Sequence, residues 1–260
     1  MLHFEKTGNG KETLVLLHGF MENNTIWNDL ETSLSNQFSI VKIDLPGHGK
    51  SDILAEVHTM EMMAEEVNKV LENGNLNTIH LLGHSMGGYV SLAFAEKYPE
   101  KLKTLTLFFS TFLEDDSEKK QQRMKSYRII KEAFQHYARA GIPNLFNPNE
   151  RDVLEGKIET ALEIALSTNN LGALASVKGM VARTDKKHIL DNLDIKILII
   201  AGKHDNAVKT DAILKNLPDR TNVKSYVLDC GHNGHWEKPQ ICAEIINTEL
   251  LHHLPKNLVL

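Results

Sequence analysis

The sequence predicts an α/β protein with a mostly parallel sheet and helices on both faces. Short apolar runs without polar alternation read as strands covered on both sides. Segments of helical period lie between them, and glycine- or proline-containing turns mark the junctions. The composition agrees with a globular chain: of 260 residues, 42% are hydrophobic and 24% charged, with a net charge of −5. A chain this long can bury roughly three quarters of its extended surface, so it needs neither a disulfide scaffold nor a structural metal.

Leu2 to Lys6 reads as a first strand, closed by the turn Gly8-Asn9-Gly10. Thr13 to Leu17 is an apolar run of the buried-strand kind, and Ile26 to Leu34 is a short helix. Phe38 to Leu45 is the next strand, ended by Pro46-Gly47-His48-Gly49. Met60, Met63, Val67, Val70 and Leu71 recur at helical spacing. Ile79 to Leu82 is a strand that runs into Gly83, and a helix from Met86 to Tyr98 follows, closed by Pro99. Leu102 to Phe109, Ile195 to Ile200 and Val223 to Leu228 are further strands. A helix from about Lys209 to Leu217 separates the last two, and a final helix opens on Pro239, a favourable first helical residue.

The stretch from Phe112 to Asp191 interrupts this alternation. Met124 to Ala140, Lys157 to Leu166 and Leu171 to Ala182 all read as helical. The segment is therefore expected as a helical cap, residues 112–191, inserted into a core of residues 1–111 and 192–260 and placed over one edge of the sheet.

The charge balance excludes a dedicated nucleic-acid binder, since no basic stripe dominates. No apolar stretch reaches the length of a membrane span. The start, Met-Leu-His-Phe-Glu-Lys, lacks a basic region followed by an apolar core. With two cysteines, Cys230 and Cys242, the expectation is a cytoplasmic protein with reduced thiols.

Gly83-His84-Ser85-Met86-Gly87 fits Gly-x-Ser-x-Gly, between a strand and a helix, as a nucleophile elbow requires. Small neighbours are needed there because side chains beside so tight a turn would collide. A serine hydroxyl needs a base. The candidate is His232, in the loop after the Val223–Leu228 strand; His235 competes, but His232 lies nearer the strand end. His-x-x-His could suggest a metal, yet no further ligand has matching spacing, so no metal is expected. Asp205, after the Ile195–Ile200 strand, is the acid that would fix the tautomer of His232. The order Ser, Asp, His suits this architecture. The oxyanion donors expected are the backbone N–H groups of Met86, directly after the nucleophile, and Phe20, in His18-Gly19-Phe20. His18 itself reads as a hydrogen-bonded structural residue.

With these residues in place, the chain resembles the α/β-hydrolase superfamily. The resemblance is carried by His18-Gly19-Phe20, by Asp44-Leu45-Pro46-Gly47-His48-Gly49-Lys50-Ser51 and by Gly83-His84-Ser85-Met86-Gly87-Gly88. It continues through Ala201-Gly202-Lys203-His204-Asp205 and Gly231-His232-Asn233-Gly234-His235-Trp236-Glu237-Lys238-Pro239. It implies an eight-stranded sheet with the cap after the sixth strand. It implies Ser85 as nucleophile, Asp205 as acid and His232 as base, with no cofactor, and it makes Asp44 to Ser51 a structural turn.

The branches it is most similar to are small carboxylesterases, enol-lactonases and the menaquinone-pathway synthase. That synthase often carries an Arg where this chain has Tyr89, although Arg123 and Arg128 of the cap could compensate. The leading expectation is hydrolysis of a small carboxylic ester through an acyl-enzyme. The alternatives are a carbon–carbon lyase or hydrolase using the same triad, and a non-catalytic small-molecule binder. Phe108, Phe134, Tyr137 and Trp236 are pocket candidates, with core packing the competing role for Phe134 and Tyr137. The expected partner is a small-molecule ester, with neither nucleic acid nor membrane, and the protein is expected as a monomer or homodimer.

Overall fold

Apolar runs covered on both faces form the middle of the sheet in the computed structural model, which describes residues 1–251. The strands are β1 (Phe4–Thr7), β2 (Glu12–Leu17), β3 (Phe38–Ile43), β4 (Ile79–His84), β5 (Leu102–Phe108), β6 (Lys196–Gly202) and β7 (Val223–Leu228). Their order across the sheet is β1-β3-β2-β4-β5-β6-β7. β1 pairs antiparallel with β3, and every other neighbouring pair is parallel. All six residues of β4 are buried, whereas the edge strand β1 alternates between exposed and half-buried positions. The hydrophobicity that made the central strands legible follows from that double burial.

The helices are α1 (Asn28–Leu34), α2 (Met60–Asn73), α3 (Met86–Lys97), α4 (Ser117–Gly141), α5 (Glu155–Ser167), α6 (Asn170–Ala182), α7 (Lys187–Asn192), α8 (Thr210–Lys215), α9 (Gly234–Glu237) and α10 (Pro239–Leu251). α2 buries Met60, Met63, Val67, Val70 and Leu71, the stripe its spacing predicts, and Thr59 caps it by accepting from Met62 N–H at 3.1 Å. The helical insertion runs from α4 to α7, between β5 and β6. Within α4 the backbone leaves helical geometry at Ala133 (φ −148°, ψ 56°).

Two features of the expected architecture are corrected. Among the described residues the sheet has seven strands, not eight, and the insertion follows the fifth strand, not the sixth. The physical reason lies at the N-terminus: one strand precedes β2, and Gly8 (φ 73°) turns the chain straight from β1 toward it. Residues 252–260, assigned to the core from sequence, lie outside the described residues. Among the described residues, no helix is long and apolar enough to cross a membrane.

The Asp44–Ser51 turn is anchored through its first residue. Asp44 accepts from Asn24 N–H (2.7 Å), Lys50 N–H (3.0 Å) and the His3 ring (2.9 Å). A carboxylate with this many donors fixes the loop at the C-terminal end of β3, beneath α6. His58 N–H donates to Ala175 O of α6 at 3.0 Å, which seats the cap on this side.

Candidate active site

The nucleophile candidate stands on a strained turn. Ser85 follows the last residue of β4 and precedes the first of α3, with φ 50° and ψ −115°. Such a backbone costs a non-glycine residue about 1–3 kcal/mol and persists only where neighbours over-determine it. Here Ser85 N–H donates to Phe108 O (3.0 Å), and Ser110 Oγ–H donates to Ser85 O (2.7 Å). Gly87 lets α3 approach β2: a Cβ there would lie 2.4 Å from Leu17 O and 2.6 Å from His18 O. Met86 is the first residue of α3, so its N–H has no carbonyl in the preceding turn of its own helix.

The loop after β2 is pinned from two sides. His18 accepts Leu45 N–H at Nε2 (2.9 Å), so its Nδ1 carries the proton and donates to Gly19 O (2.7 Å). Gly19 O belongs to the same peptide as Phe20 N–H, and a trans peptide points the two in opposite directions. His18 therefore aims Phe20 N–H by holding the carbonyl behind it. The preceding peptide is held by Glu22, whose Oε2 accepts Gly19 N–H at 2.5 Å.

His232 and Asp205 meet at the C-terminal ends of β7 and β6. His232 Nδ1–H donates to Asp205 Oδ2 at 2.7 Å, leaving Nε2 as the acceptor. Asp205 Oδ1 accepts Ala207 N–H (2.8 Å) and Val208 N–H (2.9 Å), which fixes the plane of the carboxylate. Burial by itself would lower the His232 pKa; the charge and hydrogen bond of Asp205 outweigh it and raise the value above that of a free histidine. His232 N–H donates to Leu145 O in the cap at 2.7 Å. Glu237 fastens the same loop, accepting Gly231 N–H (2.9 Å), Asn233 N–H (3.1 Å) and Asn147 N–H of the cap (2.9 Å).

Ser85 and His232 open onto one cleft of about 260 Å³ between the sheet end and the cap. Phe20 and Tyr137 stand in its wall. Three pocket candidates do not. Phe108 is fully buried behind the elbow against Trp27, His84 and Phe109. Trp236 is stacked on Phe146 at an interplanar angle of 8°. Phe134, next to the break in α4, packs half-buried on the core. His235 is fully buried, between Trp236 and Trp27, and burial drives its pKa well below the ordinary value; it cannot reach the cleft. The two rings of the His-x-x-His pair thus serve separate surroundings.

Sequence reasoning passed over several residues of this cleft. Glu22 lies in its wall and joins His84 to the loop after β2. Burial alone would raise its pKa, but the charge and hydrogen bond of His84 bring it down to about 2. Lys119 enters from the first turn of α4, where its side chain donates to Ala207 O (3.2 Å). Desolvation, then the neighbouring Arg123, lower its pKa. Arg123 also lines the cleft and is neutralised by Asp115, which pairs with Arg183 too; Arg128 is exposed. The Arg183 guanidinium lies over the Tyr89 ring, 4.1 Å from its centroid, so arginine does stand beside the position where Tyr89 departs from the synthase pattern. An acidic residue within the turn after β2 was the available signal for Glu22. For Lys119 the signal was the Asp116 cap, which fixes where α4 begins.

A sheet of this order, an elbow between β4 and α3, and a His–Asp pair at the ends of β7 and β6 define a class of hydrolase. Residues 12–239 match the model of the α/β hydrolase fold family, and the chain belongs to that family. It is an enzyme, an α/β-hydrolase of the serine-hydrolase type. Among curated relatives it is 29% identical to a 2-hydroxy-6-oxononadienedioate/2-hydroxy-6-oxononatrienedioate hydrolase of Paraburkholderia phymatum, over 97% of this chain and 90% of the relative. It is 26% identical to the corresponding hydrolase 1 of Pseudomonas putida, over 96% and 92%. Among solved structures it matches a thermophilic esterase from Thermogutta terrifontis, with malate bound, at 30% identity and a TM-score of 0.88, covering 96% of this chain and 93% of that one. An enol-lactonase from Burkholderia xenovorans shares the fold at 19% identity with the same TM-score, covering 96% of each chain.

Proposed function

We propose that this enzyme hydrolyses a carbon–carbon bond beside a ketone in a small, carboxylate-bearing oxo-acid, with Ser85 as nucleophile, His232 as base and Asp205 as the acid that orients it. The observation that carries the reading is one cleft bounded by Ser85, His232 and two cationic side chains, Lys119 and Arg123. The Arg123 charge is met by Asp115, whereas Lys119 donates to a carbonyl; among the described residues no carboxylate pairs with it. The charges of Asp115 and Asp205 reach this partly desolvated ammonium without contacting it, which leaves its place for a substrate carboxylate. The likeness to 2-hydroxy-6-oxononadienedioate hydrolases supports the same class, since that compound carries a carboxylate at each end.

The chemistry follows from the bonding of such a substrate. Moving the proton of the 2-hydroxyl to C5 converts the dienol into a 2,6-dioxo chain. Ser85 Oγ adds to C6 while its proton passes to His232 Nε2, and the oxyanion is met by the N–H groups of Phe20 and Met86. Collapse breaks C5–C6. The electron pair flows into the conjugated 2-oxo acid, which takes the proton from His232. Water, deprotonated by His232, then releases the acyl group from Ser85.

The second reading is hydrolysis of a small ester by the same residues, favoured by 30% identity to the Thermogutta esterase. One panel separates the two: a 2-hydroxy-6-oxo-dienedioate followed by loss of its dienol absorbance, an enol-lactone, and p-nitrophenyl esters, each on wild type and Ser85→Ala. The expected result is preference for the dienol acid and loss of all turnover in Ser85→Ala. A preference for esters moves the assignment to the second reading. Full turnover by Ser85→Ala removes both.

A further inference from the structure

The residue just before the nucleophile has a ring closed off from solvent, with His84 0% exposed. Its Nδ1 lies 2.9 Å from Glu22 Oε2, and its Nε2 lies 3.0 Å from His232 O. A peptide carbonyl has no proton to give, and neither has an ionised carboxylate. A neutral imidazole has one N–H, so it would set a bare lone pair against one of these acceptors in a buried site. Glu22 Oε2 also accepts Gly19 N–H, a contact that an ionised carboxylate strengthens. The alternative of a neutral pair would place a proton on Glu22 instead.

We propose that His84 is a standing imidazolium, ion-paired with Glu22, and that it is a positioning residue holding the loop of Phe20 and the loop of His232 in register about Ser85. Its protonation stands on the contacts alone; its positioning role rests on the reading of Ser85 and His232 as the reacting pair. Through Nδ1 the ring grips Glu22, which holds the peptide N–H of Gly19. Through Nε2 it grips the backbone of His232 itself. Loops 62 and 148 residues away in sequence are thereby tied to the neighbour of the nucleophile. Gly19 makes room for this: a Cβ there would lie 2.7 Å from Glu22 Oε2 and 2.9 Å from His84 Nδ1. The titratable groups around the ring are Glu22 and His18 from the loop after β2, and His232 and His235 from the segment after β7. Trp27, Phe108 and Phe109 supply apolar ring contacts. Glu22 is the one anion among these neighbours, and it balances the charge.

The test is nitrogen NMR on the full chain with ¹⁵N-labelled histidine rings, the His84 signals being assigned by their loss in His84→Gln. Both His84 nitrogens are expected to carry protons and to show imidazolium shifts at neutral pH, since each faces an acceptor. An unprotonated Nδ1 at neutral pH, the mark of the neutral pair, overturns the proposal whether or not the enzyme turns over any substrate. Glu22→Gln removes the counter-charge. The expected result is that one His84 nitrogen loses its proton at neutral pH and kcat falls roughly tenfold or more while KM changes little, as for groups acting on the transition state. Glu22→Asp is expected to restore double protonation and part of kcat. A Glu22→Gln enzyme with full kcat and an unchanged His84 signal overturns the coupling.

Discussion

Replacing Asp205 with Asn changes one oxygen of a carboxylate into an NH₂, and the structure dictates which one. Oδ1 accepts two backbone N–H groups, from Ala207 and Val208, and an NH₂ cannot stand against two donors. The amide oxygen must therefore stay there, and the NH₂ must take the place of Oδ2, 2.7 Å from His232 Nδ1. Facing a donor, the ring moves its proton to Nε2, and the nitrogen that the proposed mechanism needs as acceptor of the serine proton is blocked. The same exchange in serine proteases with this triad lowers kcat by ~10⁴-fold, which is about 5 kcal/mol at ~1.36 kcal/mol per tenfold. Steady-state kinetics on the best substrate of the panel read the loss, with KM expected to change little. The pH–rate profile adds an independent check. Asp205 raises the His232 pKa against the effect of burial, so the acid limb is expected to move to lower pH in the Asn variant. A loss of less than tenfold, together with an unmoved acid limb, would refute the reasoning.

Ser85→Gly is expected to unfold at a higher temperature than Ser85→Ala. Glycine relieves the positive-φ strain of about 1–3 kcal/mol at a chain-entropy cost of about 0.5–1 kcal/mol, a net rise of several degrees in Tm readable by calorimetry. Lys119→Met is expected to lower the ratio of kcat/KM for a carboxylate-bearing substrate over a neutral ester by roughly 10–100-fold, the worth of one charge-assisted hydrogen bond; an unchanged ratio excludes Lys119 as the anion partner. Stability is expected to fall on acidification. Burial first, then the neighbouring His18, depresses the His48 pKa to about 3, so this ring stays neutral in the fold while the unfolded chain takes up a proton below about 6.5. Its stabilising share is present above that value and lost as pH falls toward 3. Glu22 adds a loss of the same sign from about 4.5 down to about 2. Denaturant melts at stepped pH measure the slope, and His48→Gln is expected to flatten it between pH 6.5 and 3.

Strands buried on both faces are readable because nearly all their central residues are apolar, and β2, β4 and β6 were placed to within about two residues for that reason. The seven apolar runs were visible too, but the resemblance carried a count of eight. Helix starts were less legible: α4 was expected from Met124, whereas the Asp116 cap begins it at Ser117. In the cleft, the elbow and the His232–Asp205 pair lie at strand ends, where topology alone brings them together. The contacts of Glu22 and Lys119 depend on the path of a loop and on the pitch at which a cap helix leaves the sheet. The acid after β2 and the Asp116 cap mark where these residues stand, but not the contacts they make. Aromatic residues misled for a related reason: Phe108 and Trp236 sit beside catalytic motifs in sequence, but both turn inward, away from the cleft.

The stitching of the cap to the histidine loop has a consequence for traffic through the cleft. Residues 142–147 cannot swing outward without parting Leu145 O from His232 N–H and Asn147 N–H from Glu237. Widening the mouth on that flank would therefore shift the backbone that carries the His232 ring, and under the proposed mechanism an enzyme open there is not set for proton transfer. Where Lys119 meets Ala207 the bridge is a side chain, which lets go before any backbone bond does. Parting that contact would leave the backbone bonds between the His232 loop and the cap in place.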